Sequence, residues 1–401
     1  MRRLLTLFLL VSSVACSSKG ILPFEFASGP AEDPAGVTPV PRADRQPPPA
    51  GRLGNAANPA NGAPEFQPSR AIPPGAAGAP GTLRTIAASR GLLVGAAVAW
   101  EPMTHDAAYA QVLAKHFSYV TPENAMKWGL VQPTPDARNY FEADEIVARA
   151  MENGQQVKGH TLVWHDTLPP WIGPDTPPDA FRNSLEGHVR TTVKRYRGMV
   201  RAWDVVNEAL WEDGELRSSI LLDKMGPGFI GEAFRWAREE DPDAKLYFND
   251  YSVLWLNPKS DGMYELVKQL LAEGVPIDGV SFQSHLTAAS PPHINKILQN
   301  FQRFADLGLL LHIGELDVRI GGMTGGMDKV MAQQRQIYMT VFGACALQPA
   351  CEGITTWGVS DRYTWVNDYY STTDAPLLFD ADYSEKGTLE GAILGLKATG
   401  L

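Results

Sequence analysis

Trp203-Asp204-Val205-Val206-Asn207-Glu208-Ala209-Leu210 reads as a buried strand over 203–206 that sets an amide and a carboxyl side by side where it ends. A second stretch, Leu311-His312-Ile313-Gly314-Glu315-Leu316-Asp317-Val318, closes in the same way on Glu315, 107 positions further along the chain. A barrel of alternating strands and helices spends about 250 residues on eight units, or roughly 30 per unit. The interval therefore covers three to four units, enough to reach the other side of the barrel mouth. Two carboxyls facing each other across a groove are the minimum equipment for cleaving a glycosidic bond.

Working outward, short β-rich runs at 92–97, 119–121, 156–162, 202–206, 246–249, 279–283, 310–315 and 353–357 alternate with helical stretches. Amphipathic segments at 178–196, 260–273, 291–307 and 327–347 are the clearest of these. Eight alternations favour a TIM (β/α)8 barrel over a doubly wound sheet. Such a barrel places its chemistry at the C-terminal ends of the strands and in the loops after them.

The barrel accounts for residues 82–401 as a single domain. Residues 1–15 read as a signal peptide: Arg2 and Arg3 precede an apolar run over 4–11, too short to span a bilayer. Ser13-Val14-Ala15 then places small residues ahead of Cys16, which suits either ordinary signal cleavage or a bacterial lipobox. Residues 16–81 are rich in Pro, Ala and Gly and lack periodicity, which predicts a disordered tether. Cys345 and Cys351, six apart, would pair readily in an oxidising compartment and leave Cys16 without a partner. A lipid anchor at Cys16 would account for that, and the expected location is an exported one: a bacterial cell-envelope lipoprotein, or otherwise a secreted protein.

A net charge of −10 argues against nucleic acid or an anionic membrane surface as the main ligand. No cofactor or metal is called for, and a monomer is expected. His160 and His165 lack the i, i+4 spacing of the helical zinc motif, and no acidic or cysteine partner stands at a ligand-like offset.

Polar groups gather at the other strand ends too. Glu123, Asn124 and Lys127 offer acceptor, amide and ammonium within five positions, suited to vicinal hydroxyls, although a capped helix N-terminus reads the same way. His160 and Trp164 follow the third strand, Tyr251 the fifth, and Gln283 and His285 the sixth. Trp357 and Trp365 lie at and beyond the eighth, where indole faces would serve as platforms for pyranose rings, or simply as core.

In order and spacing, seven runs resemble glycoside hydrolase family 10 endo-β-1,4-xylanases: TPENAMKW from 121, GHTLVWH from 159, WDVVNEAL from 203, FNDY from 248, SFQSHL from 281, GELDV from 314 and TTWGVSDRYTW from 355. The resemblance spans roughly 83–396. It implies Glu208 as general acid/base and Glu315 as nucleophile, with His285, tied to Asp317, polarising Glu315. Asn207 and Gln283 would hold the 2-hydroxyl at the −1 subsite, with His160, Trp164 and Trp357 around the same ring. Glu123, Asn124 and Lys127 would bind the −2 sugar, Trp365 would close over it, and Tyr251 joins the substrate-binding set. A disulfide between Cys345 and Cys351 also matches many members. A retaining mechanism would place the two carboxyls about 5–5.5 Å apart, and Glu315's charge would keep Glu208 protonated until the glycosyl-enzyme forms.

Two departures bear on specificity. Asp166-Thr167 stands where the family usually has Ser-Gln, and Ser252 where Asn is common after the tyrosine. Two other readings compete. One is a β-1,4-glucanase or mannanase of a related barrel family, and the other is a non-catalytic lipoprotein that captures polysaccharide.

Overall fold

The computed structural model describes residues 78–398. The signal peptide, Cys16 and all but the last four residues of the expected tether lie outside the described residues.

All eight expected strands form: β1 (Leu93–Val98), β2 (Tyr119–Pro122), β3 (Gln156–Trp164), β4 (Ala202–Asn207), β5 (Lys245–Asp250), β6 (Gly279–Thr287), β7 (Leu310–Arg319) and β8 (Cys351–Thr356). They pair in parallel, in chain order, and β8 returns to β1 through Leu93↔Gly353 to close the barrel. Helices fill the crossovers, among them Phe141–Glu152, Pro178–Arg195, Phe229–Glu240, Pro258–Ala272, Ile294–Asp306 and Met327–Leu347. The helix expected over 260–273 starts two residues early. Asn257 caps it, its side chain accepting the Ser260 N–H at 2.8 Å, and Pro258 is preset for the first helical position.

Strand residues that face the helices are apolar and buried, including Trp203, Val205, Phe248, Phe282, Leu311, Ile313, Leu316 and Val318. The interior carries buried polar and charged groups. Lys158 pairs with Asp204 at 2.7 Å and donates to Ser281 Oγ at 2.9 Å, with the lysine and aspartate both essentially inaccessible to solvent. Charges so deep are tolerable only when paired and hydrogen-bonded.

Strands β6 and β7 do not run in simple register. Phe282 pairs with Ile313, but the next residue, Gln283, pairs with Glu315, leaving Gly314 as an inserted residue. Side chains alternate between faces along a strand, so an unbulged β7 would send Glu315 outward with Leu311 and Ile313. The bulge turns the alternation over, and Glu315 and Asp317 point into the barrel mouth. A Cβ on Gly314 would stand 2.2 Å from Ser281 Oγ, so only glycine fits there. A similar shift between Asp204 and Val206 against β5 keeps Asp204 and Asn207 both inward although they are three residues apart.

Cys345, in the last turn of the helix Met327–Leu347, is joined to Cys351, the first residue of β8. The expected pairing is therefore present.

Candidate active site

Glu208 follows the last residue of β4 in the left-handed backbone region, at φ +55°. For a side chain of this size that costs about 1–3 kcal/mol and persists only where the surroundings enforce it. Here both backbone groups are held. The Glu208 N–H donates to the Asn249 carbonyl at 2.9 Å, and the Glu208 carbonyl accepts from Arg217 Nε at 2.9 Å. Arg217 also donates to the Leu210 carbonyl at 3.0 Å and to the Tyr251 hydroxyl at 2.6 Å.

From Glu208 a chain of hydrogen bonds crosses the mouth. Gln283 Nε2 donates to Glu208 Oε1 at 3.3 Å and to Asn207 Oδ1 at 3.0 Å. Asn249 Nδ2 donates to the same Asn207 oxygen at 2.8 Å and to Glu315 Oε1 at 2.7 Å. The other oxygen of Glu315 meets His285 Nε2 at 3.1 Å, and His285 Nδ1 meets Asp317 Oδ2 at 2.8 Å. Trp365 Nε1 donates to that Asp317 oxygen at 2.8 Å, and its ring lies edge-on to His285 at 4.8 Å.

This arrangement sets the charges. Burial would lower the pKa of His285, but the Asp317 carboxylate and hydrogen bonds to Asp317 and Glu315 outweigh it and lift it to about 10. Burial would raise that of Glu315. The His285 hydrogen bond, then the electrostatic influence of His160 and His285, and last the Asn249 amide reverse this and hold Glu315 below the usual carboxylate range. At neutral pH the site therefore holds an ionised Glu315 beside a protonated imidazole.

The remaining predicted residues line the same mouth. His160 is buried on Asp204, at 3.0 Å, and meets the edge of Trp357 at 5.0 Å. Lys127 donates to Asn124 Oδ1 at 2.8 Å and lies 4.7 Å from the centre of the Trp164 ring. Burial lowers the pKa of Lys127, partly offset by the charges of Glu123, Glu315 and Glu208, so the lysine senses all three carboxylates at once. Burial raises that of Glu123, with Lys127 opposing and Glu315 adding to the rise. The Tyr251 ring packs under Lys259 Nζ at 3.0 Å.

Sequence reading missed three contributors. Asn249 bridges Asn207 and Glu315, and its only signal in the sequence is the polar end of β5. Arg217 braces Glu208 from the following loop and gives no local cue. Asp250, paired with Lys259 at 2.9 Å, is pushed up to about 7 by burial, with Glu208's charge adding to the effect and Lys259 opposing it.

Residues 82–393 match the model of glycosyl hydrolase family 10. This chain belongs to that family. It is 39% identical over 279 residues to endo-1,4-beta-xylanase B of Thermotoga neapolitana, covering 69% of this chain and 80% of that one. With an endo-1,4-beta-xylanase of Agaricus bisporus it shares 36% identity over 301 residues, 73% and 88% of the two chains. Among solved family 10 structures, xylanase 10B from Thermotoga petrophila in complex with xylobiose superposes with a TM-score of 0.76 at 38% identity, covering 79% of this chain and 97% of that one. Family 10 membership fixes the reaction class as glycoside hydrolysis and agrees with the closed eight-stranded barrel.

Proposed function

We propose that this family 10 enzyme is an endo-β-1,4-xylanase that cleaves internal xylosidic bonds with retention. The observation that carries the assignment of roles is the hydrogen-bond chain from Glu208 through Gln283, Asn207 and Asn249 to Glu315, backed by His285 and Asp317. Glu315, ionised, attacks the anomeric carbon. The bond to the leaving oxygen breaks as Glu208 delivers its proton there, and a glycosyl ester on Glu315 results. Glu208, now a carboxylate, takes a proton from water; the hydroxide oxygen attacks the same carbon and frees Glu315. Asn207 and Gln283 bind the 2-hydroxyl, Glu123, Asn124 and Lys127 the neighbouring sugar, and the chain acts as a monomer.

Reducing-sugar release from xylan, glucan and mannan, compared side by side, tests the substrate; a preference for glucan or mannan would replace this reading. Azide tests the roles. Glu208→Ala with azide should give a β-glycosyl azide, and Glu315→Ala an α-glycosyl azide. The reverse pattern would exchange the two glutamates. Sugar binding that survives in a wild-type chain without turnover would instead favour the capture protein.

For location, we infer an exported lipoprotein anchored at Cys16. With Cys345 and Cys351 joined, Cys16 has no cysteine partner in a chain of three. Labelled palmitate should enter the wild type and not Cys16→Ser; no incorporation into either, in a bacterial host, would sink it.

A further inference from the structure

Among the described residues, five large aromatic side chains are at least two-fifths open to solvent: Phe141, Trp211, Tyr363, Tyr369 and Tyr370. Phe141 leans on Trp100 and Tyr363 on Tyr109, while Trp211 is covered by Arg217. Tyr369 and Tyr370 differ in that both adjoin Trp365, the indole that touches Asp317 and His285. We propose that these two tyrosines form a further sugar-binding platform that carries a xylan chain outward from Trp365. The inference rests on the proposed substrate and extends it beyond the sugars at the carboxylates.

Three features support it. The first is spacing. Trp365 and Tyr369 stand at i and i+4 on the helix Trp365–Tyr370, hence on one face, with ring centres 5.0 Å apart. One helical turn, about 5.4 Å, is comparable to one pyranose of an extended β-1,4 chain. Tyr370 stands edge-on to Tyr369 at 4.8 Å and 6.1 Å from Trp365, so the three rings form one contiguous aromatic cluster whose faces are inclined to one another.

The second is that the surface is held in place. Thr364 caps the helix, accepting the Val366 N–H at 3.3 Å, and Ser371 ends it at once in the left-handed region, φ +51°. Asp374 ties this loop to the end of β7, accepting the N–H groups of Ile320 and Gly321 at 2.9 Å each, and its own N–H donates to Asn367 Oδ1 at 2.7 Å. Arg319 lies over the Tyr370 ring at 4.1 Å. Rings fixed before the ligand arrives lose little freedom on binding it.

The third is exposure. Tyr369 is 55% and Tyr370 42% open to solvent. An aromatic face with a polar rim suits a pyranose, which offers C–H groups on its faces and hydroxyls at its edge.

The test uses the full chain with Tyr369→Ala/Tyr370→Ala and Tyr369→Phe/Tyr370→Phe. For the alanine pair, kcat/KM on long soluble xylan should fall roughly three- to tenfold, the worth of about one stacked face, while kcat/KM on aryl xylobioside changes less than twofold. The phenylalanine pair should stay near wild type on both. No loss on xylan, or an equal loss on both substrates, overturns the platform. Native gels cast with xylan give a second reading in a Glu315→Gln background. Migration slowed by xylan should be largely restored by the alanine pair, and full retention of the slowing overturns the proposal even if xylan proves not to be hydrolysed. Failure of the wild type to cleave xylan would be a failure of the proposed function instead.

Discussion

His285 Nε2 lies 3.1 Å from Glu315 Oε2, so a buried carboxylate faces a cation that stays charged to about pH 10. Removing that cation should let burial prevail on Glu315. In His285→Gln the acidic limb of the kcat/KM profile on aryl xylobioside should move to higher pH by at least half a unit, with activity down about 10- to 100-fold. An unmoved acidic limb would show that something else ionises Glu315.

The same pair predicts how stability follows pH. His285 is raised, so its contribution is whole below its ordinary 6.5 and fades as pH climbs to about 10. Glu315 is lowered, so its contribution is present above the ordinary carboxylate pKa and is lost as pH falls through its folded value. Thermal melts from pH 6.5 to 10 should show Tm drifting down in the wild type. The His285→Gln protein should show a flatter trend over that window, and parallel curves would contradict the assignment.

Asn249 donates from one nitrogen to both Asn207 and Glu315. Asn249→Ala should cut kcat about 10- to 100-fold with KM changed less than threefold, since the amide orients reacting groups rather than adding uniform binding. Asn249→Asp sets a second carboxylate against Glu315 and should raise the acidic limb besides. A pure KM effect in either variant would place Asn249 in substrate binding.

Gly314→Ala should destabilise by about 1–3 kcal/mol, because its methyl would need the space of Ser281 Oγ. Activity per folded molecule should fall as well, since any relief of the clash re-aims Glu315. Adding Ser281→Gly should recover part of both losses. Denaturant melts and active-site titration separate the two effects, and an additive double variant would argue against the clash.

Thr167 stands where family resemblance leads one to expect a glutamine that excludes a hydroxymethyl group from the second sugar. Its backbone is held at φ +50°, with its N–H on Asp166 at 2.7 Å and its carbonyl accepting from Gly129 at 2.8 Å, so the loop is a settled one. The ratio of kcat/KM on aryl xylobioside to that on aryl cellobioside should be smaller than in Gln-bearing relatives, and Thr167→Gln should raise it. A ratio already as steep as theirs would sink the idea.

Much of the barrel could be read because each strand announces itself by a short β-branched or aromatic run and then a polar terminus. Glu208 and Glu315 stood out for that reason. What the chain hid were relations between distant residues. The flip of β7 depends on a glycine whose insertion only the β6 register reveals, and an alternation count along β7 alone points Glu315 the wrong way. Arg217 reaches back to the Glu208 carbonyl across a loop, a contact that no periodicity encodes. Asn249 was visible as a polar residue, but its double donation needed the positions of two other strands.

The Cys345–Cys351 bridge fastens a helix end to the start of β8, on the floor of the barrel and away from its mouth. Closing a loop this short is worth about 2 kcal/mol in chain entropy. A thiol-rich medium should therefore shorten the working life of the enzyme at elevated temperature while leaving the turnover of each intact molecule as it was. Endurance and chemistry are housed at opposite poles of the same cylinder, and either can be tuned without disturbing the other.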